Sequence, residues 1–132
     1  MSLQTIRKIR GYLISSSSVT AYVPTRKIKV GWPKTLDEFP CIIISQVTGT
    51  DMGYLGYGTS AAGSKLRKET SGIQIDIYSR NSRLETIQIA DEVVKVLISG
   101  NCTKESDVES YNDETGLYRK IQTYSDTSFF DD

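Results

Sequence analysis

Residues 71–98 read SGIQIDIYSRNSRLETIQIADEVVKVLI, and this stretch decides the fold because its periodicity changes once, at a turn. Ile73, Ile75 and Ile77 alternate with Gln74, Asp76 and Tyr78, the period of two expected of a strand with one face on a core and one toward water. Ser82 then offers an N-cap oxygen, and Glu85 stands where it can return a bond to the cap's own N–H, a reciprocal capping box. From there Leu84, Ile87, Ala90, Val93, Val94, Leu97 and Ile98 recur every three or four residues. The spacing predicts an amphipathic helix that ends at Gly100, a residue free to take the left-handed conformation. A strand, a capped turn and a helix follow in order, with no evident catalytic side chain among them.

Upstream, Phe39-Pro40 introduces Cys41-Ile42-Ile43-Ile44 and continues to Val47, an apolar β-branched run that suits a central strand covered on both faces or nearly so. Pro40 stands at the entrance, where a strand tolerates proline. Further back, Leu3, Ile6, Ile9 and Leu13 mark a first helix, punctuated by the polar run Ser15 to Ser18. Val19 to Val23 and Lys27 to Val30 each predict a brief strand. Downstream, Asn101 to Glu114 is acidic and aperiodic and reads as a solvated loop. Leu117 to Tyr124 predicts a last strand, and 125–132 a flexible C-terminal tail. Between the two isoleucine-rich strands lies 49–65, GTDMGYLGYGTSAAGSK, a flexible Gly/Tyr loop beyond the roughly 12 to 15 residues at which structureless connections become uncommon. The expected architecture is α+β: a single small domain over 1–132, a mostly antiparallel sheet of about four strands, and two helices packed on one face.

Composition excludes much chemistry. The chain has no histidine, which removes Ser-His and Cys-His nucleophilic arrangements and the commonest metal ligand. Its two cysteines, Cys41 and Cys102, are far apart and form no C-x-x-C pair; Cys41 reads as a buried free thiol, and a reducing, cytosolic history fits. Neighbouring acids (Asp37 with Glu38, Asp91 with Glu92, Glu105 with Asp107) read as solvated surface rather than as acid–base pairs. Residues 58–65, GTSAAGSK, echo a phosphate-binding loop, but the motif needs Gly-Lys-Ser/Thr where this chain has Gly-Ser-Lys. Asn101-Cys102-Thr103 matches a glycosylation sequon in form only. The start, MSLQTIRKIR, lacks the apolar core of a signal peptide, and no apolar stretch approaches the roughly 20 residues that cross a bilayer. No catalytic, cofactor-binding or metal-binding residue is expected.

A net charge of zero hides a gradient. Residues 1–80 carry eleven Lys/Arg against five Asp/Glu, 81–100 two against three, and 101–132 three against eight. Part of this imbalance is available for internal ion pairs. It also suits a pair of patches by which identical subunits meet, the basic patch of one on the acidic patch of the next. The glycines of 49–65 keep that segment pliable alone, while Tyr54 and Tyr57 bring contact area at little rotamer cost. With Lys65, Arg67 and Lys68 they also compose a nucleic-acid surface of cations and stacking rings, although zero net charge argues against tight general binding.

The sequence FPCIII at 39–44, a long variable loop, GIQIDIYSR at 72–80 and ADEVVKVL at 90–97 together resemble the tail terminator or tail completion proteins of long-tailed bacteriophages. The resemblance implies a non-enzymatic α+β subunit that assembles with itself as a ring, a hexamer, caps the tail tube and joins it to the head connector. Its implied partners are further copies of itself, the tail-tube protein and the head–tail connector protein, with DNA only as passing cargo, no membrane and no cofactor. Its implied places are the virion tail and, during assembly, the cytoplasm of the bacterial host. On this reading Tyr54, Leu55, Tyr57, Lys65, Arg67 and Lys68 are the assembly contacts, and Glu105, Asp107 and Glu109 the acids that face the channel. The alternatives are a head-closure or connector ring and, in a different class, a small-ligand or nucleic-acid binding module.

Overall fold

The computed structural model describes residues 3–47, 72–80 and 82–126. Helix α1 (Leu3–Ile14) leads into a short α2 (Ser17–Thr20), a 3-10 turn (Thr25–Lys27), β1 (Ile28–Val30) and β2 (Cys41–Val47). After β3 (Gly72–Ser79) come α3 (Arg83–Ser99), β4 (Cys102–Asn112) and β5 (Leu117–Asp126). The strands form one sheet in the order β1-β2-β3-β5-β4, with β1 parallel to β2 and every other pairing antiparallel. The α+β domain with its helices on one face is as expected. The sheet has five strands rather than about four, and it is mixed.

The helix side of the sheet carries the main core. Ile6, Ile9 and Leu13 of α1, Val19 of α2 and Ile89, Ala90, Val93 and Leu97 of α3 pack on Ile42, Ile44, Ile73, Ile75, Ile77 and Tyr124, all buried. Each fully buried Ile or Leu here contributes about 1.5–3 kcal/mol relative to exposure. On α3 the inward stripe is Thr86, Ile89, Ala90, Val93 and Leu97, whereas Leu84 and Ile98 are 61% and 54% exposed. The apolar spacing read from sequence therefore straddles two faces of this helix, and packing on β3 selects one.

Both ends of α3 are closed by local bonds. Ser82 Oγ accepts from the Glu85 N–H at 3.0 Å. The Ser82 N–H donates to Ser79 Oγ at 3.5 Å, and the Ser79 hydroxyl donates to the Glu85 carboxylate, so the last residue of β3 joins the cap. At the other end Gly100 has φ −90°, and it is Asn101, at φ 71°, that takes the left-handed conformation. Gly100 answers a different need: a Cβ there would lie 2.6 Å from the Tyr12 ring, which crosses the end of α3 at that point.

The second face of the sheet is covered as well, contrary to the half-exposed strand expected at 73–78. Cys41, Ile43 and Tyr78 form a smaller buried cluster with Leu36, Phe39 and Leu117 against it. Burial pushes the Cys41 thiol up to about 11, with nearby Lys29 and Lys27 pulling the other way. Within the polar row of β3, Asp76 is fully buried. Its Oδ2 accepts from Arg119 Nε at 2.9 Å and from Arg119 Nη2, and its Oδ1 accepts from Gln74 Nε2 at 2.7 Å. The Arg119 guanidinium in turn lies 5.7 Å from the Trp32 ring and 5.4 Å from that of Tyr78. A buried carboxylate is stable only when its oxygens are met this way.

Three segments depart from the sequence reading. Val19 to Val23 does not form a strand: Ser16 caps α2 by accepting from the Val19 N–H at 3.3 Å, and Val19 turns into the core. Residues 102–112, expected as a loop, form the longest strand of the sheet, held by β5 from Cys102 opposite Asp126 to Asn112 opposite Leu117. A register shift between Lys104 and Ser106 leaves Glu105 as an extra residue, which breaks the alternation that would have marked the strand. Ser125 and Asp126 belong to β5 rather than to a tail, while the rest of that expected tail, 127–132, and the expected loop at 49–65 lie outside the described residues.

Two outcomes test this packing. Arg119→Met strands a buried carboxylate and is expected to lower unfolding free energy by about 3 kcal/mol, part of which the double change with Asp76→Asn recovers; urea titration reads both, and a loss below about 0.5 kcal/mol for the single change would show the pair contributes nothing. Gly100→Ala forces the Tyr12 ring aside, at a cost of about 1–3 kcal/mol that adding Tyr12→Ala abolishes as a further increment; thermal melts of the single and double variants measure it.

Candidate assembly surface

Among the described residues, no group of three or more His, Cys, Asp or Glu is placed to hold a metal. Among the described residues, open clefts flank α3. One, of about 370 Å³, is lined by Tyr22, Asp91, Glu92, Lys95 and Lys104, and another, of about 230 Å³, by Arg83, Thr86, Glu109, Tyr111 and Tyr118. Their walls are mainly charged side chains and tyrosines, not the enclosed apolar lining with a few convergent polar groups that grips a small ligand. The chemistry of this surface lies at the two ends of the sheet.

One end is β4. Every residue of the strand after Cys102 is exposed, Val108 and Tyr111 each by 53%. Of the three acids singled out by sequence, Asp107 and Glu109 lie on the side of the sheet that carries α3, and each has a counter-charge. Asp107 accepts from Lys104 Nζ at 2.8 Å and from Gln122 Nε2 at 3.4 Å, and pairs with Lys120 Nζ at 3.0 Å. Partial burial pushes its carboxyl up, but the hydrogen bonds from Lys104, Lys120 and Gln122 prevail and hold it below the usual carboxylate value. Glu109 pairs with Arg83 at 2.9 Å, tying β4 to the first turn of α3. Glu105, the extra residue of the bulge, accepts from the Ser125 hydroxyl at 2.7 Å.

The hairpin that joins β4 to β5 is built by its own residues. Asn112 Oδ1 accepts from the Glu114 N–H at 2.9 Å, Asn112 O accepts from the Gly116 N–H at 2.8 Å, and Gly116 has φ 73°, which glycine takes without strain. This turn leaves Asp113 and Glu114 exposed at the tip. Tyr111 and Tyr118, opposite each other, stack with centroids 4.5 Å apart at its base.

The other end of the sheet is β1, with α1 and the 3-10 turn beside it. Arg10 Nε donates to Ile28 O at 2.8 Å and its Nη2 to Thr25 O at 3.2 Å, so this edge already has a side chain on its main chain. Arg26 pairs with Glu38 at 2.9 Å. Among the described residues Arg7, Lys27, Lys29 and Lys34 have no ion pair. On the outer face, Trp32 stands 50% exposed with its ring edge-on to Tyr78 at 6.1 Å, and Arg80 covers the Phe39 ring at 4.7 Å.

The structure thus brings Glu105, Asp107 and Glu109 onto one strand and gives Asp107 and Glu109 counter-charges of their own. The expected contacts Tyr54, Leu55, Tyr57, Lys65, Arg67 and Lys68 lie outside the described residues. Sequence reasoning missed Val108, Tyr111, Trp32 and Arg119 as surface and near-surface groups. A tyrosine facing a tyrosine across Asn112 to Gly116 was the one signal available for the hairpin, since Asn and Gly at those places are turn formers.

The family model of the tail completion protein gp17 matches residues 7–125, a span that runs from the first turns of α1 to the end of β5. Among solved structures, a chain from the virion of a native gene transfer agent particle superposes with a TM-score of 0.62 at 10% sequence identity, covering 93% of this chain and 91% of that one. At that identity the likeness speaks to the fold alone. The curated proteins offer no match. With nine-tenths of its length inside one family model, the chain belongs to the tail completion protein gp17 family.

Proposed function

We propose that this tail structural protein works as a ring of identical subunits, a hexamer, that caps the tail tube and joins it to the head connector. The observation that carries the reading is the family match over residues 7–125. Its fit to the physical surface is independent support: the described residues offer an exposed strand edge and segregated charge rather than a constellation for bond-making chemistry. In the virion the ring would sit on the tail, after assembly in the host cytoplasm, with the tube protein on one side, the connector on the other, and DNA passing through without being held.

Assembly would be driven by ordering. A segment that is pliable in the free subunit loses conformational freedom only when it docks, so contact is made where the neighbour is correct and not before. We assign that role to 49–65, with Tyr54, Leu55 and Tyr57 as the apolar and aromatic part of the contact and Lys65, Arg67 and Lys68 as its charged flank. A channel wall that repels DNA needs uncompensated negative charge. Of the three acids of β4, Asp107 and Glu109 already hold cations of their own chain. Those pairs fix β4 and leave neither acid for the channel, whereas Glu105, without a cation of its own chain, is left to meet one on a neighbour.

The test is sedimentation of the full chain with and without purified tail-tube protein, together with tail lengths after deletion of the gene. Ring formation in either mixture and tails of abnormal length are expected; strictly monomeric behaviour in both at high concentration, with normal tails, would remove the reading. On this reading, removing residues 51–62 should leave the melting temperature within about 2 °C of the parent while abolishing contact with ring or tube, and a large drop in melting temperature would overturn the assignment.

A further inference from the structure

The strand order places β1 and β4 at opposite ends of one sheet, separated by four interstrand spacings, roughly 19 Å. Residues 3–38, which build the β1 end, carry seven Lys/Arg and two Asp/Glu; residues 102–126, the β4–β5 hairpin, carry three Lys/Arg and six Asp/Glu. Internal pairing sharpens this division. At the β1 end Arg10 is spent on backbone carbonyls, Arg26 on Glu38, and Lys8 lies over the Tyr12 ring, leaving Arg7, Lys27, Lys29 and Lys34 against the single acid Asp37. At the β4 end Asp107 and Glu109 are spent on Lys104, Lys120 and Arg83, leaving Glu105 at the bulge and Asp113 and Glu114 at the hairpin tip. Among the described residues, none of these remaining groups has an ion pair.

We propose that these two ends are the halves of a single subunit contact: the acidic β4 edge of one copy meets the basic β1 and α1 edge of the next. This rests on the ring reading and specifies its interface. Like edges repel, because β4 on β4 sets Glu105, Asp113 and Glu114 against their own kind, and β1 on β1 sets lysine against lysine. Symmetric pairing is thereby disfavoured and head-to-tail pairing favoured, which closes into a ring when the rotation per subunit permits.

The mode of contact also follows. Both edges are guarded against indiscriminate main-chain pairing, β1 by its three-residue length and by Arg10 on Ile28 O, β4 by the Glu105 bulge and its charges. The contact therefore runs through side chains. One row across the sheet, Lys29–Ile43–Asp76–Ile121–Val108, ends in a cation on one side and in an exposed valine flanked by Asp107 and Glu109 on the other. Val30, 39% exposed beside Lys29, and Tyr111 near the hairpin tip add apolar surface at the two ends.

Charge reversal tests the assignment. The full chain is compared with an acid-reversed form (Glu105→Lys with Glu114→Lys) and a base-reversed form (Lys27→Glu with Lys29→Glu) by sedimentation velocity. Tail-tube protein is added to all samples if the parent needs it. The parent ring is expected to weaken as salt rises from about 0.05 to about 0.5 M. Each reversed form alone should need at least about tenfold more protein to assemble. An equimolar mixture of the two should assemble again, because each then finds an opposite edge on the other. Circular dichroism checks that both fold; should either fail, Glu105→Gln with Glu114→Gln replaces it, with a shallower salt dependence expected. Reversed forms that assemble like the parent, a mixture that does not recover, or an unchanged salt dependence in the neutral variant would overturn the edge assignment while leaving the ring intact. A parent chain that never leaves the monomer, with or without tube protein, would overturn the ring reading and this inference with it.

Discussion

Everything in this fold is arranged around a carboxylate that has no access to water. Asp76 sits in the middle strand of the sheet, fully buried, and its oxygens are met by Arg119 and Gln74. A slip of β3 by one residue would carry Asp76 into the isoleucine layer beneath the helices and turn Ile75 or Ile77 into the polar row. The cost of an unmet buried charge makes that slip prohibitive, so the pair fixes register as well as contributing to stability. Arg119 extends the constraint outward. It belongs to β5, opposite Tyr78, and its guanidinium lies beside the Trp32 ring, so one ion pair ties the third strand, the fifth strand and the 31–40 segment together.

What was legible from sequence is what depends on local pattern. The run Cys41 to Val47, the alternation from Ile73 to Tyr78 and the Ser82 cap each carry their structure within a few residues, and all three elements lie where that pattern puts them. What was not legible depends on a partner distant in sequence. Apart from Thr103 and Val108, little in Thr103 to Ser110 favours a strand: lysine, glutamate and aspartate are poor strand formers, and the extra Glu105 destroys the period of two. The segment is a strand because β5 holds it. Asp76 was misread for the same reason, since its charged partner Arg119 lies 43 residues later, with a guanidinium that is itself beside Trp32 on a segment without regular structure. Gly100 was misread because its constraint is the Tyr12 ring of another helix, not its own backbone angle.

The surface follows the same logic. A charge gradient along the chain was evident from counting, but only the strand order turns it into a gradient across the molecule. The chain begins at one end of the sheet and, after crossing it, returns through β5 to close with β4 at the other. The Glu105, Asp107 and Glu109 triplet looked like one acidic feature because the three alternate in sequence. The bulge and the cations of Lys104, Lys120 and Arg83 divide it into a structural pair and one outlying acid.

An exposed edge strand of eleven residues is a hazard for any chain, because its outer main-chain groups invite pairing with another strand. The devices that protect it here are charge and a bulge, and both act without blocking the faces of the strand. A proline or a covering helix would make the edge inert, whereas acids leave it selective, repelling another acidic edge while accepting a basic one. The basic end, with its main chain occupied by Arg10, has the complementary property. On the proposed contact, protection of the free subunit and choice of neighbour are one physical device, carried at the β4 end by Glu105, Asp113 and Glu114, which have no ion pair among the described residues and lie at the far end of the sheet from the lysines.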